Sequence, residues 1–200
     1  MSRNLRPINR DELVKFYING KRSVASIAKQ FGCSTNKVQF WMERYEIPRR
    51  TISDAIYAQH NPNGDPFCFA PPKTVEEAIL FGLGLGLYWG EGTKANRNSV
   101  RLGNTDPKLI DKFLRFLVKF FSIDRNDCSF GLQVFSDMDP RKAQNYWQKQ
   151  LKVKKSQFYK TIVTRTGAIG TYRRKSEYGV LTVYYNNSHL RTLIGSLLPE

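Results

Sequence analysis

The sequence predicts an α+β protein with three zones: an all-α domain over residues 1–57, a linker over residues 58–73 and an α+β domain over residues 74–200. Residues 1–57 have helical periodicity and almost no β-rich runs. The next segment, which includes NPNGDPFCFAPP, is rich in proline, asparagine and glycine, as linkers are. From Val75 onward β-rich runs alternate with helix-like ones, which favours helices packed on a four-stranded antiparallel sheet.

The composition is strongly basic. Among 200 residues, 32 are Lys or Arg and 17 are Asp or Glu, which gives a formal charge of +15. This charge favours a polyanionic partner, most commonly nucleic acid, over a small metabolite or cofactor, although a basic composition that serves only solubility stays open. The three cysteines form no C-x-x-C pair, and the longest apolar run, residues 78–89, is too short for a membrane span. We therefore expect a cytoplasmic protein, nucleoid-associated if bacterial, with no membrane partner.

The N-terminal zone contains the signals of two short helices joined by a tight turn, after a first helix at DELVKFY. Ser23 and Ser34 can cap the two helices, and Gly32 can adopt the positive φ of the turn. Val38 and Trp41 are expected to face inward from the second helix of the pair. This spacing is typical of a helix-turn-helix. A three-helix bundle with only a structural role is the alternative.

If this zone binds DNA, the second helix of the pair enters the major groove, and outward residues near its start reach base edges. Those residues are Thr35, Asn36, Lys37 and Gln39, with Arg44 near the DNA backbone. Asparagine and glutamine can pair with adenine, whereas lysine and arginine more often hold phosphates. Arg49 and Arg50 follow in an extended arm that could enter a minor groove, and a solvated charge pair is the alternative.

The segment LFGLGLGLYWGEGTK, residues 80–94, is apolar enough to be a buried helix but contains five glycines. Each glycine inside a helix costs about 1 kcal/mol relative to alanine, so another interaction must offset them. Phosphate binding does not explain them, because neither G-x-G-x-x-G nor G-K-S/T is present. Gly82, Gly86 and Gly90 are four residues apart and share one face, where a second helix could approach closely. An ordinary buried helix with accidental glycines is the alternative.

The other sides of this helix are expected to fill the core with Leu83, Leu87 and Tyr88. Glu91 follows the last glycine of the face. In a close helix pair it would lie beside an acid of the second helix, and two adjacent carboxylates repel unless a cation lies between them. Mg²⁺ favours such oxygen ligands together with water and phosphate. The pattern suggests metal-assisted hydrolysis of a phosphodiester.

The run GLGLYWGEG, residues 84–92, resembles the signature helix of LAGLIDADG homing endonucleases. The segments NTDPKLIDKFLRFLVKFF and YGVLTVYYNNSHL continue the resemblance, which covers residues 75–198. It implies that Gly86 and Gly90 lie at a close helix contact and that Glu91 is the catalytic ligand of Mg²⁺. Because the motif occurs once, it also implies a homodimer that cleaves pseudo-palindromic double-stranded DNA. Trp89 departs from the first Asp of the family motif, and Glu91 replaces the second.

The resemblance further implies a sheet that lies along the major groove, with outward strand residues on the DNA. Lys160, in QFYKT, is the basic residue predicted near the scissile phosphates. The other basic residues expected to contact DNA in this domain are Lys94, Arg97, Arg101, Arg165, Arg173, Arg174 and Lys175.

Two functions share this expected fold. The favoured one is a dimeric, Mg²⁺-dependent, site-specific DNA endonuclease, because the acid at Glu91 is intact. The alternative is a transcription regulator that binds DNA without cutting it, which the helix-turn-helix and the lack of a second obvious acid favour. An RNA-binding protein ranks last, since Phe130, Phe135, Tyr184 and Tyr185 are expected in the core and not on a base-stacking surface.

Overall fold

The structure is a computed structural model that describes residues 7–62, 64–166 and 176–199. It divides between Pro66 and Phe67 into two compact units, each with its own hydrophobic core. Helices together with one four-stranded sheet make the protein α+β. Within the described ranges, every helix is too short or too polar to cross a membrane.

In its described part, the first unit is built from helices. Helix α1 (Arg10–Leu13) continues as a π-helix (Val14–Asn19), and α2 (Val24–Gln30), α3 (Thr35–Arg44) and α4 (Ile52–His60) follow. The caps are local: the hydroxyls of Ser23, Ser34 and Thr51 each accept a hydrogen bond from a backbone N–H in the first turn of the helix that follows. Gly32 has the expected positive φ, +58°. The buried core contains Ile8, Leu13, Tyr17, Ile27, Ala28, Val38, Met42 and Ile47.

The second unit contains α5 (Val75–Glu91), β1 (Val100–Asn104), α6 (Pro107–Phe121), β2 (Ser129–Phe135), α7 (Pro140–Leu151), β3 (Ile162–Thr164), β4 (Val180–Tyr185) and α8 (Ser188–Ser196). Short 3₁₀ turns occur at Arg125–Asp127 and Lys155–Gln157. Helices α6 and α7 start alike, because Asp106 and Asp139 cap them and a proline follows each. They also end alike, at Ser122 and Lys152, whose φ values are 53° and 54°.

The sheet has the strand order β1-β4-β2-β3. Strand β4 runs antiparallel to both β1 and β2, but β3 runs parallel to β2. The prediction of a purely antiparallel sheet is therefore wrong for the pair β2 and β3. The reason is helix α7, which lies between these strands in the chain and returns it to the sheet in the same direction.

One face of the sheet is buried and the other is open. The buried face carries alternate strand residues, such as Leu102, Phe130 and Val183, which share one core with buried side chains of α5, α6, α7 and α8. We define the open face by the intervening residues, each half-exposed or exposed: Arg101, Gly103, Ser129, Gly131, Gln133, Phe135, Ile162, Thr164, Val180, Thr182 and Tyr184. Phe130 and Tyr185 are buried as expected, whereas Tyr184 and Phe135 lie on the open face.

Candidate functional site

Helix α5 is fixed to α6 at two places. Near its start, the Glu77 carboxylate accepts a hydrogen bond from the backbone N–H of Lys73 at 2.7 Å and pairs with Lys119 of α6 at 2.8 Å. Further along, a Cβ atom at Gly84 would lie 2.1 Å from the ring of Phe116. Gly84 is therefore the glycine that lets the two helices of this chain pack closely.

The three glycines predicted to share a face have a different environment. We call Gly82, Gly86 and Gly90 the glycine strip; a Cβ added at any of them would meet no described atom within 4 Å. The large apolar side chains beside the strip are exposed, and Trp89 keeps 56% of its surface. Leu83 was expected in the core but is also exposed, because it points to this side of α5. The strip is thus an apolar surface uncovered within the described chain.

The C-terminal end of α5 is tied to strand β1. A Cβ atom at Gly92 would lie 2.3 Å from the carbonyl oxygen of Tyr88, so only glycine fits where the helix ends. Gly92 then forms an antiparallel bridge with Leu102, and the Thr93 N–H donates to the carbonyl oxygen of Arg101 at 3.0 Å. Glu91, the last residue of the helix, is held at the β1 edge of the sheet by these contacts.

The loop after α5 is held by Arg191 of α8. Its guanidinium donates to the carbonyl oxygens of Lys94 at 2.6 Å and Asn96 at 3.1 Å. The Asn96 side chain accepts from the backbone N–H groups of Asn98 and Ser99, which closes the loop on itself. The side chain of Tyr88 is fully buried, and burial raises the pKa of its phenol, while the charge of Arg191 acts in the opposite direction.

Glu91 itself is exposed, and no cation of the described chain forms a salt bridge with it. Its carboxylate is therefore available as an oxygen ligand, the kind that Mg²⁺ prefers. In residues 7–62, 64–166 and 176–199, no three His, Cys, Asp or Glu side chains come together as a metal cluster. Glu91 alone would not hold Mg²⁺, so phosphates, water or a second copy would have to supply the other ligands.

Lys160 is not brought to Glu91 within one chain. Lys160 is exposed and precedes β3 at one edge of the sheet, whereas Glu91 adjoins β1 at the other edge. Three strand spacings of about 4.8 Å separate these edges, or roughly 14 Å. The segment QFYKT, residues 157–161, also lies wholly outside the strand, because β3 starts only at Ile162.

The other basic residues predicted in this unit lie in three environments. Lys94, Arg97 and Arg165 are exposed. Arg101 is half-exposed on the open face, where its side chain donates to the Ser99 hydroxyl at 2.7 Å and its guanidinium lies 5.1 Å from the ring centre of Tyr184. The remaining three, Arg173, Arg174 and Lys175, lie outside the described residues.

In the first unit, the residues predicted to contact bases lie at the start of α3. Thr35, Asn36 and Arg44 are exposed, and Lys37 and Gln39 are half-exposed. Val38 and Met42, on the opposite side of the helix, are fully buried. The outward side of α3 is therefore accessible to a partner.

Arg49 and Arg50 differ although they are neighbours. Arg49 is exposed. The Arg50 guanidinium donates to the carbonyl oxygens of Tyr17, Lys21 and Arg22 at 2.6 to 2.9 Å and lies 4.2 Å from the ring centre of Tyr17. Arg50 therefore holds the first unit together, and in this conformation it is not a free arm for a DNA groove.

Comparisons of the chain with protein-family models, with curated proteins and with solved structures find no match. The resemblance to LAGLIDADG homing endonucleases therefore stays a prediction.

The sequence reasoning missed three side chains of the second unit: Tyr159 and Gln133 lie beside or on the open face, and Arg191 holds the loop after α5. It named Tyr184 but placed it wrongly in the core. The alternation in VLTVYY was a usable signal, because Leu181 and Val183 in the core place Thr182 and Tyr184 on the other side. Arg191 had no local signal, since its partners lie more than ninety residues earlier.

Proposed function

We propose that this protein binds double-stranded DNA and, as a homodimer, cleaves it at specific sites by Mg²⁺-dependent hydrolysis. The observation that carries this proposal is the glycine strip, an uncovered apolar face of α5 that ends at the exposed Glu91. A helix face without side chains lets a second helix approach closely. The packing of that helix would then offset the free energy that the interior glycines of α5 cost.

The proposed dimer is two-fold symmetric, with the strips of two copies in contact. Such an interface uses the same patch twice, so the Glu91 residues of both copies meet near the axis. Two carboxylates brought together in this way would hold the metal with phosphate oxygens of the DNA. When bound, Mg²⁺ would stabilise the charge that develops on the phosphate that is cleaved.

The protein's own residues supply binding and orientation in this proposal. Thr35, Asn36, Lys37 and Gln39 of α3 would contact bases in a major groove, as in a helix-turn-helix. The exposed basic side chains Arg44, Arg49, Lys94, Arg97 and Arg165 would contact phosphates, which contribute affinity without sequence preference. Gly92 and Arg191 would keep Glu91 in place at the end of α5.

A second candidate is a DNA-binding transcription regulator on a LAGLIDADG-like fold that does not cut. Two features of the sequence favour it: the helix-turn-helix pattern of the first unit and the lack of a second obvious acid beside Glu91. Both candidates share the DNA partner and the dimer, and they differ in the role of Glu91.

Cleavage of a large randomised duplex library separates the two candidates. The protein is incubated with Mg²⁺ or with Ca²⁺, and both cut and bound fragments are sequenced. We expect cuts at one pseudo-palindromic site with Mg²⁺, and none with Glu91→Gln. The matched control is Glu76→Gln, which changes an exposed acid at the other end of the same helix and should still cut. Enrichment of a bound site without any cutting would establish the regulator instead.

A further inference from the structure

Two tyrosines and an arginine lie together on the open face. The Tyr184 ring extends over the neighbouring strand, since a Cβ atom at Gly131 would lie 2.9 Å from it. Tyr159 meets this ring edge to face, with the ring centres 5.3 Å apart and the planes at 82°. On its other side Tyr184 lies 5.1 Å from the guanidinium of Arg101. The three side chains form a continuous aromatic and cationic surface, which we call the tyrosine platform.

The backbone and a neighbouring amide hold Tyr159 in place. Its N–H donates to the carbonyl oxygen of Phe130 at 2.8 Å, and Phe158 beside it bridges to the same residue. Its hydroxyl accepts a hydrogen bond from the Asn186 side chain at 3.1 Å. The Tyr159 side chain nevertheless keeps 46% of its surface exposed. A large aromatic ring is therefore held rigidly in solvent, where it contributes little to the core.

The open face suits an anionic chain. None of the four strands contains an Asp or Glu, so neither face of the sheet carries a carboxylate from a strand. Arg101 lies on the open face, and the exposed Lys160 and Arg165 flank β3. Two glycines leave room for the side chains of the open face. A Cβ at Gly103 would lie 2.9 Å from the Thr182 hydroxyl, and one at Gly131 would lie 2.9 Å from the Tyr184 ring.

We propose that the open face binds a single-stranded segment of DNA, with unpaired bases stacked on the tyrosine platform. In a duplex both faces of each base are covered by its neighbours, so an aromatic side chain gains stacking only from bases that have left the helix. Arg101 and Lys160 would hold the phosphates of the same strand. This inference goes beyond the proposed function, which requires only duplex DNA and Glu91.

The test measures binding of the full-length protein to a fluorescent oligothymidylate of about 12 nucleotides, a length typical of single-strand sites. Stacking of one base on an aromatic side chain is lost on truncation to alanine, so Tyr159→Ala should weaken binding about 5- to 150-fold. Tyr159→Phe keeps the ring and should bind almost as the wild type does. Val163→Ala is the matched control, because Val163 is an exposed residue of β3 on the side opposite the open face.

An abasic oligonucleotide of the same length separates stacking from charge. It carries the same phosphates without bases, so the wild type and Tyr159→Ala should bind it equally weakly. The proposal is overturned if Tyr159→Ala binds oligothymidylate as the wild type does, or if the wild type binds the abasic strand as tightly. It is also overturned if RNA of the same sequence binds more tightly than DNA, which would make RNA the ligand.

All binding is measured in EDTA, so that the outcome does not depend on cleavage or on Glu91. A duplex of the same sequence forms a separate arm. If Tyr159→Ala weakens duplex and single strand equally, the open face is a duplex surface and the single-strand proposal fails, while the proposed function stands. If the single strand binds but neither this duplex nor any duplex of the randomised library does, the proposed function fails and this inference stands.

Discussion

Arg50 shows how a residue predicted for a ligand can be required by the fold. Its position beside Arg49 in a basic, proline-preceded segment resembles a solvent-exposed arm. The structure instead places its guanidinium against carbonyl oxygens that lie 28 to 33 residues earlier in the chain. Because five N–H donors in a rigid plane can reach several acceptors at once, arginine suits this role and lysine does not.

Arg50→Ala should destabilise the first unit by about 2 kcal/mol, since hydrogen bonds of a charged group contribute about 1.5–3 kcal/mol. Hydrogen–deuterium exchange in α1 to α3 measures this loss as faster opening of that unit. Arg50→Lys should lie between the wild type and alanine. The neighbouring Arg49→Ala should leave exchange unchanged, because Arg49 is exposed. Wild-type exchange in Arg50→Ala would show that these hydrogen bonds do not stabilise the unit.

Cys128 makes the second unit sensitive to alkali. Burial raises the pKa of its thiol from 9.0 to about 12. Between these values the unfolded chain releases the thiol proton while the folded chain keeps it, so stability falls as the pH rises. We expect the free energy of unfolding to drop by at most about 1.4 kcal/mol per pH unit from this group. Denaturant titrations at several pH values above 9.0 measure the slope.

Cys128→Ala should reduce that slope, although the smaller side chain lowers the stability itself. Burial also raises the pKa of the Tyr185 phenol from 10.0 to about 12, so part of the slope should remain. Cys68→Ala is the control, because Cys68 is exposed and should not affect the alkaline response. An identical slope in Cys128→Ala and the wild type would rule out the thiol as its source.

At the scale of elements, α5 contains two kinds of glycine. Gly84 packs on Phe116 within the chain, whereas Gly86 faces open space. Gly84→Ala should therefore lower the free energy of unfolding by about 1–3 kcal/mol, because the added methyl overpacks the contact with α6. Gly86→Leu should leave the monomer folded but block the proposed dimer. Thermal unfolding and light scattering measure the two effects.

The two substitutions serve as controls for each other on one helix. A Gly86→Leu protein that remains dimeric would place the dimer interface elsewhere on the molecule. A Gly84→Ala protein with unchanged stability would mean that Phe116 moves aside without loss.

Local chemistry explains which elements could be predicted. Helices α6 and α7 could be predicted among the helix-like runs, because an Asp-Pro pair starts each helix and the apolar pattern continues to its end. The direction of β3 could not be predicted. Its partner is selected by the path of the chain through α7, which no residue within β3 specifies. The open position of Tyr184 likewise depends on which side of the sheet the helices cover.

Part of the candidate site could likewise be predicted from local sequence, and part could not. The spacing of Gly82, Gly86 and Gly90 correctly predicted a shared face, because helical periodicity is local. Two other features depend on tertiary structure: the separation of Lys160 from Glu91, and the hydrogen bonds of Arg191 to the loop after α5. Their partners are distant in sequence, so residue type and spacing gave no information about them.

At the scale of the whole molecule, the charge of +15 sets how binding should respond to salt. If duplex binding is mainly electrostatic, the logarithm of the association constant should fall linearly with the logarithm of salt concentration, by about 0.9 per phosphate neutralised. Arg49→Ala should reduce this slope by about one unit, as the loss of one phosphate contact does. Fluorescence anisotropy across a salt series measures the slope. A flat response would argue against nucleic acid as the partner.

The strand order has a consequence for how the protein folds during synthesis. Strand β4 lies between β1 and β2 but is the last strand in the chain, and Tyr185 pairs with Val100. The first unit consists of local helices and can fold while the ribosome is still adding the second. The sheet has to wait until residue 185 leaves the exit tunnel, and until then β1 and β2 lack their shared neighbour. A nascent chain stalled before that point would present unpaired strand edges, which makes this interval the one in which chaperones would matter most.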